Sequence, residues 1–308
     1  MQTLSPAEMA KLFGCPVSEI HSACGELLQR VDLSYRLAEG AERDALLLDI
    51  VKRIDSHSLR VAGDGRQDEW ERGWGENLKE LIETNFDVKA LVPKYIRPGE
   101  PVRLFRQLAI PAPRFIQDYT MVFRAWAFRK FLSEARTIYD FGCGPGSHLA
   151  YLASIFPNKR LVGLDWADAS AKILKALASH YGWPIEGRRF DFFNPDPTLV
   201  FESGVAVMTY GALEQIGNRY EPFLNYLVDH KPVLCLHIEP LAELYDDTNL
   251  LDYFALRYHH QRKYLDGFLT TLRSLEASGK ITIDAIHRHQ FGTKFAETYS
   301  YVAWRPNC

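Results

Sequence analysis

The sequence is short of the features that would assign it at a glance. Its five cysteines (Cys15, Cys24, Cys143, Cys235 and Cys308) are scattered and form no Cys-x-x-Cys pair, which argues against a disulfide framework or a cysteine-zinc site. An excess of one charge sign is missing too: the formal net charge is −3, so a whole-chain nucleic-acid binder is not expected. No apolar run approaches the ~20 residues needed to span a bilayer. The opening stretch "MQTLSPAEMAKLFG" has neither the basic segment nor the apolar core of a signal peptide. Internal repeats and low-complexity tracts are absent as well. These absences point to a cytoplasmic protein with no membrane or nucleic-acid partner, and they leave its oligomeric state open. What remains is an ordinary globular composition, 47% apolar and 24% charged, in 308 residues.

Two rhythms divide the chain. Residues 1–110 read as mainly helical. Ser5, Pro6 and Glu8 make a helix start with a capping box, and "PVSEIHSACGELLQRV" and "ERDALLLDIVKRI" keep apolar residues at three-to-four spacing. "SPAEMAKLFGCPVSEI" has the look of a helix-turn-helix, but no arginine-rich recognition helix follows, so two packed helices are expected. Residues 62–75 read as a glycine- and charge-rich loop running into a helix, and the proline-rich 98–115 as extended chain. From 111 to 308 a long helix leads into alternating strand and helix, which predicts a doubly wound, mostly parallel α/β sheet. Residues 212–230 and 249–279 each read as helix. Two final strands without a helix between them imply that one of them is antiparallel.

"TIYDFGCGPGSHLAYLA", starting at Thr137, sits where the first of these strands meets its helix. Glycines there let the chain turn off the strand end and let a ligand approach the backbone, while the next helix presents free N–H groups. A phosphate-cradling P-loop would need a Gly-Lys-Ser/Thr ending, and here the loop ends Gly146-Ser147-His148. A dinucleotide fingerprint counted from Gly142 meets Ser147 at its third small position. Asp140, two residues ahead of the first glycine, would repel phosphate and attract an ammonium or sulfonium group.

Asp140-Phe141-Gly142-Cys143-Gly144-Pro145-Gly146 resembles the first motif of class I S-adenosylmethionine-dependent methyltransferases, acidic-x-Gly-x-Gly-x-Gly. Three later segments resemble that family in the expected order. Asp165, about 20 residues on, suits a ribose diol, with Trp166 beside it for adenine. Asp191 and Phe192 match the acid that bonds the adenine amino group and the ring that covers it. "GVAVMTYGALEQIG" matches the segment that passes the transferable methyl, placing Tyr210 at the cofactor and Glu214-Gln215 where many relatives carry Glu-His. The resemblance implies a Rossmann-like methyltransferase fold with a seven-stranded sheet, S-adenosyl-L-methionine as cofactor, and a small-molecule acceptor, with residues 1–110 as a lid or acceptor-recognition region. "LVPKYIRPGEPVRLFRQ" and "YHHQRKYLDGFL" are loosely similar to methyltransferases of bacterial polysaccharide gene sets, which suggests a sugar-containing acceptor and O-methylation.

Candidate chemistry on the acceptor side is less patterned. His237 and Glu239, two apart on a strand, face one side and could take a hydroxyl proton; Glu214 is a third candidate. With His287 the pair could also ligate iron, though no metal is expected at this point of a doubly wound sheet. Tyr119, His259 and Arg262 are candidates for acceptor binding. Two competing functions stay open: an NAD-dependent oxidoreductase, disfavoured by Asp140 and Ser147, and a non-catalytic cofactor-binding protein of the same fold.

Overall fold

The computed structural model describes residues 1–94 and 97–307. Its central sheet has seven strands: β1 (Thr137–Phe141), β2 (Arg160–Asp165), β3 (Ile185–Arg189), β4 (Val205–Tyr210), β5 (Leu234–Ile238), β6 (Ile281–His287) and β7 (Tyr301–Pro306). The spatial order is β6-β7-β5-β4-β1-β2-β3. Strands β1 to β5 pair in parallel, and β7 enters antiparallel between β5 and β6. This is the Rossmann-like arrangement of the methyltransferase fold. β1 lies near its centre and is buried along its whole length, with Ile138 facing one core and Tyr139 and Phe141 the other. The first turn of the doubly wound sheet therefore delivers the glycine loop to the middle of its carboxyl edge, where ligands of such sheets bind.

Two long helical expectations break. The chain over 212–230 forms a 3-10 turn, Leu213–Gln215, and then a helix, Glu221–His230. Gly217 separates them at φ 67, packed so closely on Lys263 that a Cβ would lie 2.6 Å from its carbonyl oxygen. Residues 249–279 form two helices, Leu250–Arg262 and Phe268–Ala277. The first ends on a left-handed Lys263, and the second starts at a left-handed Gly267.

The N-terminal third has the expected helices, Pro6–Phe13 with its Ser5/Glu8 capping box, Val17–Leu28 and Gly40–Asp55. The stretch 62–75 turns helical earlier than its glycines suggest: Gln67–Glu83 is one helix. A second sheet, which the sequence pattern does not announce, completes this region. Strands Gln2–Thr3, Ser34–Leu37, Gln107–Pro111 and Val102–Leu104 pair antiparallel, and its fifth strand, Phe291–Thr293, comes from between β6 and β7. The proline-rich stretch thus becomes a hairpin. Phe13, Ile20 and Cys24 share one continuous core with Phe123, Trp126, Ile138 and Tyr301, so the N-terminal region packs directly on the sheet layer. Among the described residues the four cysteines are unpaired; Cys308 lies outside them.

An ion-paired knot fastens the two sheets. Asp252, fully buried, accepts from Arg103 Nη2 at 2.6 Å and from Arg288 Nη2 at 2.6 Å. Arg288 also grips Glu297 at 2.7 and 2.8 Å. Asp252→Ala strands the Arg103 guanidinium in the interior, leaves Arg288 to Glu297 alone, and is expected to cost about 3–5 kcal/mol of stability. Urea denaturation measures it; a loss below about 1 kcal/mol, as for a surface pair, would show that the knot bears little load.

Candidate cofactor and acceptor site

Gly142, Gly144 and Gly146 all hold positive φ, 73, 53 and 78°. At Gly142 this is enforced by crowding, since a Cβ would lie 2.4 Å from that of Ala212. The loop is bonded back onto β2. The N–H groups of Gly142 and Cys143 donate to Leu164 O, and the Gly144 N–H donates to Asp165 Oδ2 at 2.9 Å. Asp165 Oδ1 accepts from the Ala167 N–H, also at 2.9 Å. Each Asp165 oxygen keeps a further acceptor site. Burial pushes its carboxyl up to about 6 against the pull of these N–H groups.

Asp140 is the exception in this bonded loop. It is 1% exposed, and neither carboxylate oxygen has a hydrogen-bond partner among the described residues. Burial, then the charges of Asp165 and Glu239, push its pKa up to about 8. A carboxylate held this way is costly unless a cation joins it.

The register separates the acceptor-side residues. Asp140 pairs with Met208, while Thr209 pairs with His237, so Asp140 and His237 face opposite sides of the sheet. His237 Nδ1 lies 3.0 Å from Thr209 Oγ1, and the ring packs on Phe268 and Trp304. Burial lowers its pKa to about 3, so this is a neutral core histidine rather than a base at the sheet edge. Glu239 is fully buried and caps the turn after β4: Oε1 accepts from Ala212 N–H (3.0 Å) and Leu213 N–H (3.1 Å), and Oε2 from Glu214 N–H (3.3 Å). That fixes it as an anchor for the turn. Glu214 itself faces polar company. It accepts from Gln215 Nε2 at 2.5 Å, and burial pushes its pKa up to about 7 while Arg262 and Arg66 pull it down. His287 is engaged elsewhere, its Nε2 lying 2.8 Å from Leu12 O. Among the described residues no three His, Cys, Asp or Glu side chains are grouped to hold a metal ion.

Arg262 bonds the Tyr258 hydroxyl at 2.8 Å and lies over the Tyr264 ring. His259 is 3% exposed between Tyr245 and Tyr264, and burial lowers its pKa to about 3, so it does not share an open face with Arg262. Tyr119 is fully buried, its hydroxyl bonded to His289 Nε2 and its ring on Phe291, which makes it a core residue. Tyr210 stacks on His148 at 4.2 Å, on the same sheet face as Asp140.

On the other flank, Asp191 closes a turn by accepting from Phe193 N–H (2.8 Å) and Asn194 Nδ2 (3.0 Å). The Phe192 ring is buried against Phe223 and flanks Gly142; the Phe193 ring lies 6.1 Å from that of half-buried Trp166. A cover not identified from the sequence is the helix Gln67–Glu83. Its Trp74 ring would stand 3.1 Å from a Cβ on Gly144. Gln67 Nε2 donates to Trp166 O (3.3 Å), Glu71 accepts from Ala169 N–H (3.2 Å), and Arg66 donates to Gln215 Oε1. Two tryptophans four apart, Trp70 and Trp74, were the signal available for it.

No protein-family model matches the chain. A trans-aconitate 2-methyltransferase of Azoarcus sp. (strain BH72) is 36% identical over 63 residues, 20% of this chain; the chain spans 24% of that relative's length in the match. Among solved structures, human N-acetylserotonin methyltransferase in complex with SAM aligns over 100% of this chain and 73% of its own, at 13% identity and a TM-score of 0.43. An O-methyltransferase family 2 protein from Planctomyces limnophilus DSM 3776, in complex with apigenin, aligns over 85% and 65%, at 15% identity and a TM-score of 0.43. Geranyl diphosphate C-methyltransferase from Streptomyces coelicolor A3(2) aligns over 62% and 82%, at 12% identity and a TM-score of 0.43.

The raised pKa of Asp140 has a stability consequence. An acid whose folded pKa, about 8, exceeds its ordinary 3.8 loses stability as pH rises between those values. Asp140→Asn is therefore expected to be more stable than the wild type at alkaline pH, with the gain shrinking as pH falls toward 3.8. Urea titrations at both ends of this window check it; a pH-independent difference contradicts it.

Proposed function

We propose that the chain is an S-adenosylmethionine-dependent methyltransferase that methylates a hydroxyl of a polar small molecule. The observation that carries this reading is Asp140, a buried carboxylate without a partner at the head of a three-glycine loop. The residues present fit that cofactor. Asp140 would pair with its ammonium, and the first-turn N–H groups of the helix Ser147–Ile155 would take its carboxylate. The spare acceptor sites of Asp165 would take the ribose diol, while Trp166, Phe193 and the turn made by Asp191 would hold adenine. When bound, the cofactor supplies a methyl group already activated on a sulfonium sulfur. The protein's share is then to align the acceptor and to take up its proton. Glu214 is the candidate for the proton transfer: it lies in the turn after β4, the segment that passes the methyl in the family the chain resembles, and burial raises its pKa to about 7. A pyrophosphate cofactor would face the like charge of Asp140, which disfavours the oxidoreductase reading.

Calorimetry with S-adenosylhomocysteine tests the proposal. The wild type is expected to bind it saturably, and Asp140→Asn to weaken binding by about 10-fold or more, the worth of a charge-assisted bond. Absence of saturable heat with the wild type, or a melting temperature raised by a nicotinamide dinucleotide and not by S-adenosylhomocysteine, would falsify it. A second measurement reads the cover over the loop. Because Trp74 stands against Gly144, binding is expected to alter tryptophan emission, and Trp74→Phe to remove most of that change. An undiminished signal in the variant would place the ligand away from this helix.

A further inference from the structure

The helix Phe115–Leu132 carries Arg124 in its middle, between the fully buried Phe123 and the buried Ala125. Other inward-facing arginines of the chain meet carboxylates: Arg103 pairs with Asp252, and Arg288 with Asp252 and Glu297. Arg124 pairs with none among the described residues. Its Nε is buried without a partner, and its guanidinium lies 5.2 Å from the Tyr151 ring centre. The groups around its charge are the tyrosines Tyr210, Tyr151 and Tyr299. His148 completes the wall, stacked on Tyr210, with Nδ1 buried and unpartnered; burial and the Arg124 charge keep this imidazole neutral. Tyr299 shares a hydroxyl contact of 3.1 Å with Thr120. The result is one fixed positive charge ringed by hydroxyl and imidazole groups, with no carboxylate among the described residues to neutralise it. Arg124 is itself half-buried, so its charge keeps part of its hydration while its Nε is sealed off without a partner.

We infer that Arg124 is the counterion of a carboxylate on the methyl acceptor, so that the substrate is an anionic small molecule held between Arg124, His148 and the three tyrosines. This rests on the methyltransferase reading of the neighbouring loop. A guanidinium presents a planar fork that matches a carboxylate with two parallel bonds. Position selects the acceptor over the cofactor as its owner. Tyr210 ends β4 and Tyr299 precedes β7, so the pocket lies on the β4–β5–β7 flank of Asp140. Asp165, Trp166 and Asp191, the residues suited to the nucleoside, lie on the β2–β3 flank. The cofactor's own carboxylate already has the first turn of the helix Ser147–Ile155.

The experiment titrates acetate, succinate and tricarballylate into the protein saturated with S-adenosylhomocysteine, by calorimetry. A di- or tricarboxylate is expected to bind the wild type saturably. Arg124→Lys, which keeps the charge and loses the fork, should weaken that binding by about 10-fold. Arg124→Met should abolish it. S-adenosylhomocysteine affinity should stay unchanged in both, and the melting temperature of Arg124→Met should stay close to that of the wild type, because the half-buried Arg124 has no ion pair among the described residues to lose. Carboxylate binding absent from the wild type, or retained in Arg124→Met, overturns the inference. It is equally overturned if Arg124→Met loses affinity for S-adenosylhomocysteine while decarboxylated S-adenosylhomocysteine binds both proteins alike; Arg124 then serves the cofactor. A wild type that binds no S-adenosylhomocysteine sinks the methyltransferase reading and the acceptor role together, whereas a wild type that binds S-adenosylhomocysteine but no carboxylate overturns this inference alone.

Discussion

The site depends on one carboxylate doing a mechanical job. Asp165 bonds the N–H groups of Gly144 and Ala167 at once, and so ties the glycine loop to the end of the second strand. With that tie in place the loop can run through three left-handed glycines, at every second position, without wandering. The loop then shields Asp140 from water, and the helix behind it is left with its first N–H groups turned to the sheet edge. Glu239 does the corresponding job farther along the sheet, holding three N–H groups of the turn after β4. Both acids anchor backbone, and both leave the chemistry to neighbours.

What they frame is a charge pattern left unbalanced. On one side of the loop stands a buried carboxyl group without a partner, and on the other a guanidinium without a carboxylate, both among the described residues. Folding alone gains nothing from either, since each forfeits hydration without a partner. A zwitterionic cofactor and an anionic acceptor would each supply a missing half. The site is thus defined more sharply by what its groups lack than by the bonds they make.

How much of this could be seen in the sequence depended on the range of the interactions. The parallel sheet was legible because each strand and helix carries its own local period, and the loop because its glycines and Asp140 fall within one short stretch. The spacing of His237 and Glu239 showed that they share a side; which side required the pairing of Thr209 with His237 across strands. Tyr119 looked available because its partner, His289, lies 170 residues away. The second sheet was hidden for another reason: its strands are two to five residues long, too short for alternation to register.

That second sheet also sets the order in which the chain can be completed during synthesis. Its strand Val102–Leu104 emerges long before the partner that covers its outer edge, Phe291–Thr293, which follows only after six strands of the central sheet. Until then the hairpin of the first third presents an open row of backbone donors and acceptors, the kind of edge that recruits other chains. Arg103, at the centre of that strand, waits nearly as long for Asp252. A nascent chain of this protein therefore carries this open edge until Phe291–Thr293 has been made.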